Sequence, residues 1–376
     1  MLSRFDEYLI HQTPEPIAHP VSMDRNIYDR YWLGGFSADA ALYFAASLGV
    51  YPNRDVMDCG FSVVHDGVQH AFFGSRRAPR ERSETQVGPF FLEVIEPMRS
   101  LRLRLAVEHA ANTSGIGCDL TFTARSVCVE EDRQLLRRGR TTFMDVTRFT
   151  QFGCWQGTLT IAGQTLQIDA AQVHGIRDRS WGRRNVGEPE PGAPPAAPQV
   201  YFLWLPLFWQ DHATLAVFFE DAQGLPLHTE GKVVPLHASL AQVPALDLAD
   251  TQRVSGVARR IDYVAGTRRA KRASLSMMAT DGAAREIALE PLLRFQMKGT
   301  GYGHPSWKHG SWKGELATGS DRWRPDELDP LALENIHIQQ LVRCHSNGQT
   351  GIGVMEQVCI GPHAPSGFTR LNDGAR

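Results

Sequence analysis

Several features that commonly identify a function are missing from this sequence. Its 39 Lys and Arg residues nearly balance its 41 Asp and Glu residues, so it lacks the strong positive field that attracts nucleic acid or an acidic membrane. The apolar run 201–209 contains Pro206 and falls far short of the roughly 18 residues that a membrane-spanning helix requires. We therefore expect no nucleic-acid partner and no transmembrane segment.

The usual signatures of cofactor and metal sites are also absent. The six cysteines form no CxxC pair and no zinc-type spacing, which predicts free, buried thiols. There is no GxSxG, HExxH or P-loop motif, and the glycine-rich stretch 299–303 does not open a helix after a strand. His304 and His309 have no nearby carboxylate, so they are weak metal candidates. We expect neither a cofactor nor a metal.

The N-terminal segment 1–20 carries acidic residues and prolines where a secretion signal has an apolar core. This composition predicts a cytoplasmic protein.

What the sequence does contain is a repeated strand pattern. In SLRLRLAVE (100–108), every second residue is apolar, and TLTIAGQTLQID (158–169) has the pattern of a hairpin. Turn pairs such as Asp281-Gly282 and Asn347-Gly348 separate further candidate strands, which return about every 8 to 12 residues. Hairpin connections imply antiparallel neighbours, so the sequence predicts an antiparallel all-β protein. The composition of segment 37–51 also allows a helix, and its assignment stays open.

One stretch divides the chain into two nearly equal halves. GEPEPGAPPAAPQ (187–199) has five prolines and almost nothing that can pack. We interpret residues 189–199 as a Pro-rich linker between an N-terminal barrel, 1–188, and a C-terminal barrel, 200–376.

One group of motifs is distinctive, and its most specific element is the Arg-Asp-x-Ser-Trp-Gly core, residues 177–182. The other motifs are GVYPN (49–53), EVIEPMRSLRLRL (93–105), RGRTTFMDVTRFTQFGCWQGTLTI (138–161), GYGHPSWKHGSWKGEL (301–316) and GIGVMEQVCIGP (351–362). Together these motifs resemble a bacterial family related to carotenoid 1,2-hydratase (hydroxyneurosporene synthase), whose wider group includes AttH-like proteins and lipocalin-type pericyclases.

The resemblance covers most of the chain and implies two tandem lipocalin-like β-barrels packed together. It also implies a ligand cavity in or between the barrels, because relatives handle long, apolar, unsaturated molecules such as polyenes, terpenoids and polyketides. The two halves found from the Pro-rich stretch agree with this arrangement.

The stretch HGIRDRSWGRR (174–184) concentrates charge directly after a strand pattern. Burial of Asp178 would raise its pKa and allow it to donate a proton to an alkene. Arg177 and Arg179 beside it favour the ionised form, and the alternative is a structural cluster that ties the barrels together. His174 is a candidate general base or water-orienting group, with a satisfied histidine at the strand edge as the alternative.

Other side chains of this stretch are candidates for substrate binding. Arg177 and Arg183 can hold a ligand carboxylate or carbonyl bidentately, with packing across the boundary between halves as the alternative. Trp181 is a candidate substrate contact that we interpret first as an aromatic plug, with Gly182 permitting close backbone approach.

Aromatic and acidic residues elsewhere complete the candidate site. Aromatic faces can stabilise a carbocation, with ordinary core packing as the alternative. The aromatic candidates are Tyr201, Trp204, Tyr302 and Trp307. His304 is a further catalytic candidate. Asp58 and Glu356 lie inside apolar strand patterns, where a carboxylate is costly unless it is paired, so each is a candidate arginine partner or second proton-transfer group.

These observations favour an enzyme that hydrates, isomerises or cyclises an apolar unsaturated substrate, such as an isoprenoid, steroid or polyketide, without a cofactor. The alternative is a non-catalytic carrier in which the same arginines stabilise the fold or contact a headgroup. Both hypotheses imply a hydrophobic small-molecule ligand. The state of association is left open, with a homodimer as one option.

Overall fold

The fold is given by a computed structural model, which describes residues 1–187, 192, 197–246 and 251–376. The predicted linker, 189–199, lies largely outside the described residues, and the proposed domain boundaries stay a prediction. Among the described residues, no helix has the length and apolarity needed to cross a membrane.

The first half of the chain is built from strands, which the β-branched and aromatic residues of the alternating segments favour. They are β1 Ile27–Ser37, β2 Leu42–Tyr51, β3 Val56–His65, β4 Val68–Arg77, β5 Gln86–Val87, β6 Phe90–Glu96, β7 Ser100–Leu105, β8 Ile116–Ala124, β9 Val129–Glu130, β10 Gln134–Arg138, β11 Thr141–Ile161, β12 Gln164–Ile168 and β13 Val173–Arg184.

The second half is also mainly strands, with one short α-helix, α1 Leu333–Ile336. Its strands are β14 Val200–Phe208, β15 His212–Glu220, β16 Pro226–Pro235, β17 Gln252–Arg253, β18 Gly256–Tyr263, β19 Ala270–Met278, β20 Ala284–Gln296, β21 Leu316–Trp323, β22 Ile338–Ser346 and β23 Gln349–Ile360. Short 3-10 helices are Arg4–Glu7, Pro52–Arg54, Leu240–Gln242, Met297–Thr300, Pro325–Glu327 and Ala364–Ser366.

The strands form two antiparallel sheets. The first follows the order β21-β4-β3-β2-β1-β13-β11-β8-β7-β6-β5, with β9, β10 and β12 paired to β11. The second follows the order β17-β16-β15-β14-β23-β22-β20-β19-β18. The sheets curl into a nearly closed barrel and a half-barrel, which confirms the predicted all-β, tandem lipocalin-like fold. Strand β21 comes from the second half of the chain but pairs with β4 of the first sheet.

The predicted turns are present, and both central residues of each turn have a positive φ. Ala162 and Gly163 have φ of 49° and 85°, and Asn347 and Gly348 have φ of 49° and 77°. Both pairs connect adjacent antiparallel strands, as expected for two-residue hairpins. The segment 37–51, whose assignment the sequence left open, forms mainly strand β2.

Three large apolar clusters fill this structure, and their positions explain where a cavity can form. One fills the first barrel around Phe44, Phe122 and Trp155, and another fills the second around Leu203 and Val342. The third lies between the barrels. There, Trp32 meets Trp204 edge-to-face at 5.7 Å, and Phe36 meets Phe208 at 5.8 Å. This apolar layer fills the space between the facing sides of the two sheets. A gap in the layer is therefore a cavity with one barrel on each side.

Candidate active site

A cavity of about 150 Å³ lies between the barrels, where the apolar layer gives way to polar side chains. Its walls combine charged, aromatic and aliphatic groups, a composition typical of small-molecule sites. The lining residues are Tyr28, Arg30, Trp32, Gln134, Met144, Val146, Arg148, Asp178, Ser180, Arg184, Val200, Phe202, Phe219, Tyr302, His337, Glu356 and Val358. A wider groove shares Met144, Arg184 and Tyr302 with the cavity and opens it toward the surface.

Strand pairing places the polar groups of the first barrel in ordered rows. Asp178 of β13 pairs with Trp32 of β1, and the next row on the same face joins Ser180 to Arg30 and Arg148. Alternate residues of a strand share one face, so these side chains all point toward the second barrel. The carboxylate is therefore one row away from two guanidinium groups.

Asp178 is the central acidic group of the cavity. It is only 8% exposed, and its Oδ1 has no hydrogen-bond partner in the described ranges. Burial raises the pKa of Asp178 to about 6, although the positive charges of Arg148 and Arg30 oppose that shift. A carboxyl group with this pKa is partly protonated near neutral pH and can donate its proton.

The two arginines adjacent to Asp178 in the sequence do not face it. Arg177 donates to Gln151 Oε1 at 2.8 Å, and Arg179 pairs with Asp29. Both lie on the opposite face of β13, because neighbouring residues of a strand point in opposite directions. The expectation that Arg177 and Arg179 hold Asp178 ionised was wrong, since the cations on its side are Arg30 and Arg148.

A second carboxylate, Glu356 of β23, faces the cavity from the other barrel. Its Oε1 accepts a hydrogen bond from His337 Nε2 at 2.7 Å, and its Oε2 accepts one from Gln339 Nε2 at 2.7 Å. Burial opposes ionisation, but these hydrogen bonds prevail and hold the pKa of Glu356 below its usual value. The cavity thus carries one carboxyl group with a raised pKa and one with a lowered pKa.

Several buried polar atoms at or beside the cavity lack a hydrogen-bond partner among the described residues. They are Tyr28 Oη, Arg30 Nε, Trp32 Nε1, Asp178 Oδ1 and Trp204 Nε1. Buried polar groups are almost always hydrogen-bonded, because leaving one unpaired costs about 1–3 kcal/mol. Their concentration at one place indicates a site built to meet a polar ligand or water.

Arg30 is fixed by neutral partners. Its Nη2 donates to Tyr302 Oη at 2.5 Å, and its Nη1 donates to His309 Nδ1 at 2.8 Å. His309 Nε2 in turn donates to the carbonyl oxygen of Thr300 at 2.6 Å. Burial and the nearby arginine lower the pKa of His309 well below its usual value, so this ring stays neutral. The network holds the arginine rigidly against the cavity wall.

Asp58 lies beside this network rather than in the cavity wall. It accepts a hydrogen bond from the Gly310 backbone N–H at 2.6 Å, and burial raises its pKa to about 7. It is thus one of the buried carboxylates predicted from the sequence, but it does not line the cavity.

Three predicted residues lie away from the cavity. His174 is on the face of Asp178 but packs on Phe208 at 4.8 Å, and burial lowers its pKa to about 4. His304 pairs with Asp321 at 2.8 Å and accepts two backbone N–H groups through Nδ1, which fixes its loop. Trp307 stacks on Phe73 at 5.8 Å. None of the three lines the cavity.

The remaining aromatic candidates divide between the sheet faces. Trp181 is 42% exposed on the face opposite Asp178, so it plugs no cavity. Tyr201 faces the second barrel, where it stacks on His363 and accepts a hydrogen bond from Arg259. Trp204 lies in the layer between the barrels, against Trp32.

Of the candidates chosen from the sequence, Asp178, Tyr302 and Glu356 come together at the cavity. The residues that sequence reasoning missed include Arg30, Arg148 and His337. Both arginines occur in alternating segments where a charged residue suggests the solvent side of a strand. The one sequence feature that points inward is their spacing, because each lies two residues from an apolar neighbour on the same strand, Trp32 for Arg30 and Val146 for Arg148.

Metal binding finds no support in side-chain clustering. No group of three or more His, Cys, Asp or Glu residues is placed to hold a metal ion within the described ranges.

Asp178→Asn is expected to stabilise the protein at neutral pH. The pKa of Asp178 is about 6 in the folded protein, and its ordinary value is 3.8. The folded state therefore loses stability as the pH rises from about 4 to about 6. The full loss, about 3 kcal/mol, is present above both values, and an uncharged amide avoids it. Urea unfolding at pH 4 and pH 7.5 should show a stability gain that is larger at pH 7.5.

Asp281→Asn is the matched control, since Asp281 is exposed and its side chain accepts a backbone N–H from Ala283 but forms no ion pair among the described residues. It should change stability by a similar small amount at both pH values. A gain for Asp178→Asn that is equal at pH 4 and pH 7.5 would contradict a buried carboxyl group.

Comparisons with known proteins agree with this architecture. The model of a family described as a family of unknown function (DUF8625) matches residues 2–369. No curated protein matches the sequence at a significant level.

Solved structures show the same fold at low sequence identity. A protein assigned as AttH from Nitrosomonas europaea is similar with a TM-score of 0.56 and 11% identity, over 88% of this chain and 92% of that one. Kievitone hydratase from Nectria haematococca gives 0.53 and 13%, over 88% of each chain. CghA with Sch210972 gives 0.51 and 8%, over 89% of each chain. The fold is that of AttH-like proteins, while the closer relation to carotenoid 1,2-hydratase stays a prediction.

Proposed function

This chain belongs to DUF8625, a family of unknown function, and we propose that it is a cofactor-independent enzyme that moves protons on an apolar, unsaturated substrate. The substrate would be hydrated, isomerised or cyclised in the cavity between the barrels. The observation that carries this proposal is the pair of carboxyl groups, Asp178 and Glu356, whose surroundings shift their pKa values in opposite directions. Such a division is typical of an acid and a base that act together.

The acid step follows from the state of Asp178. Its carboxyl proton is transferred to one carbon of a substrate double bond, a C–H bond forms, and the Asp178 carboxylate remains. The positive charge left on the other carbon lies among aromatic faces, which stabilise cations. Trp32, Phe202 and Phe219 supply these faces.

The base step belongs to the opposite wall. His337 donates through Nε2 to Glu356, so Nδ1 is the ring nitrogen that can accept a proton. In a hydration, water adds to the cationic carbon and its proton passes to His337. In an isomerisation or cyclisation, the proton comes from a neighbouring carbon instead. Proton exchange with solvent then restores the two groups.

The fold supports this proposal because an enzyme named as a hydratase, kievitone hydratase, shares it. A carrier for a hydrophobic molecule is the alternative. It would need the apolar walls but not two carboxyl groups with opposed pKa shifts.

The test is incubation of the purified protein with unsaturated isoprenoids, steroids and polyketide-like compounds in D₂O, followed by mass spectrometry. We expect at least one compound to gain the mass of water or to return as an isomer, with deuterium on carbon. Deuterium on carbon reports the proton transfer even where the mass of the skeleton is unchanged. A compound that is bound but recovered unchanged and free of deuterium would support the carrier.

A further inference from the structure

Arg30 is a buried cation without an anionic partner. Its residue is 2% exposed, and both of its hydrogen-bond acceptors, Tyr302 and His309, are neutral groups. Its Nε has no hydrogen-bond partner within the part of the chain that the structure describes. A buried guanidinium group is costly unless a carboxylate or similar group neutralises it. Among the described residues, no carboxylate forms an ion pair with it.

Arg184, at the mouth of the same cavity, also contacts aromatic rings rather than a carboxylate. Its guanidinium group lies over the rings of Tyr28, at 4.8 Å, and Tyr302, at 5.6 Å. No carboxylate of the described residues pairs with it. Other arginines of this sheet do have carboxylate partners, since Arg148 pairs with Glu131 and Arg183 pairs with Asp24.

The charges around the cavity leave an excess of positive charge. Arg30, Arg148 and Arg184 face two ionised carboxylates, Glu131 and Glu356, when Asp178 and the neighbouring Asp58 both carry a proton, since burial raises the pKa of these two groups to about 6 and about 7. With His337 counted as neutral, three positive and two negative charges give a net charge of +1. One monovalent anion would make the loaded site neutral.

Two hydroxyl groups complete an arrangement of donors for such an anion. Tyr302 Oη accepts from Arg30, so its own proton is free to be donated. Tyr28 Oη has no partner. We propose that the substrate carries a carboxylate, held by Arg30 and Arg184 with the hydroxyl groups of Tyr28 and Tyr302. This inference rests on the proposed function, and a carboxylate fits because a guanidinium fork binds it through two parallel hydrogen bonds.

The spacing of the rows limits the substrate further. Arg30 lies one row from Asp178 on the shared face, which is two residues along the strand or about 7 Å. The double bond that receives the proton is therefore only a few bonds from the carboxylate. The proposed class is an unsaturated carboxylic acid with its apolar end directed toward Trp32.

The test compares geranate with geraniol, an acid and an alcohol that share one unsaturated isoprenoid chain. Calorimetric titration should show geranate binding about ten- to a hundredfold more tightly, the effect of hydrogen bonds to charged groups. Arg184→Gln should remove most of this preference, because it should weaken geranate binding far more than geraniol binding. Arg184 is the decisive position because its side chain makes ring contacts rather than hydrogen bonds, so the fold should tolerate its replacement.

Arg183→Gln is the matched control, since Arg183 is the adjacent residue and pairs with Asp24 on the other face. It should leave both affinities unchanged. Three results would each overturn the inference. The first is equal binding of geranate and geraniol to the unaltered protein, and the second is a preference for geranate that survives in both Arg184→Gln and Arg30→Gln. The third is no binding of either probe.

The same titration separates this inference from the proposed function. Asp178→Asn should still prefer geranate while losing proton transfer. An Arg184-dependent preference for the acid, together with no deuterium transfer to any compound, would retain the carboxylate site and reject the enzyme.

Discussion

Replacing Asp178 with Asn is expected to slow proton transfer to carbon by about a hundred- to ten-thousandfold, the usual contribution of a general acid. The side chain of Asn has the same shape but no carboxyl proton. Because Asp178 has no ion-pair partner among the described residues and its Oδ1 is unpaired, the variant should remain folded. Deuterium incorporation from D₂O, followed with the substrate that the screen identifies, measures the loss directly.

The pH dependence gives a second measure of the same role. Only protonated Asp178 can donate, so the rate should fall as pH rises above about 6. Arg30 and Arg148 lower the pKa of this group, whereas Glu131 and Glu356 raise it. Asp178→Glu, which keeps a carboxyl group, should retain part of the rate and a similar decline at high pH.

Asp281→Asn serves again as control, because Asp281 is an exposed aspartate that does not line the cavity. Its rate and pH profile should match those of the unaltered protein. Asp178→Asn with an undiminished rate would remove the acid from the mechanism. A reduced rate with an unchanged pH profile would assign the observed titration to another group.

The fold was predictable because its signals are local. An alternating strand needs only its own residues, and the turns at Ala162-Gly163 and Asn347-Gly348 each contain a glycine, which adopts a positive φ without strain. The segment 37–51 shows the limit of this reasoning. Its alanines and aromatic residues suit a helix or a buried strand, and pairing with β1 and β3 decides the outcome.

The site was only partly predictable because its residues meet across long sequence distances. Asp178 was found because the stretch 174–184 concentrates charge directly after a strand pattern and contains the most specific motif of the family resemblance. Its partners were not found, because the pairing of β1 and β11 with β13 brings Arg30 and Arg148 beside it. Strict alternation along β13 would have excluded Arg177 and Arg179, and the period of two was available in the sequence.

Gly182 lies on β13 between Asp178, which the sequence predicted as a site residue, and Arg184, which it did not. It pairs with Tyr28 on β1 and with Val146 on β11, between the row of Arg30 and the position of Arg184. The sequence suggested that it permits close approach of the backbone, and the structure confirms this. A Cβ there would lie 2.2 Å from the carbonyl oxygen of Asp145, at a φ of 131°.

Gly182→Ala is therefore expected to destabilise the protein by about 3–5 kcal/mol, the sum of backbone strain and overpacking. The clash is with main chain, which cannot rotate away as a side chain does. Gly163→Ala is the matched control, since it has φ of 85° but open space around the added Cβ, and it should cost only about 1–2 kcal/mol. Urea denaturation of both variants measures the difference. Equal losses would show that strain alone acts at Gly182, whereas a larger loss for Gly182→Ala would show that the close approach of β11 to β13 at this glycine is required, beside the strand positions of Asp178 and Arg148.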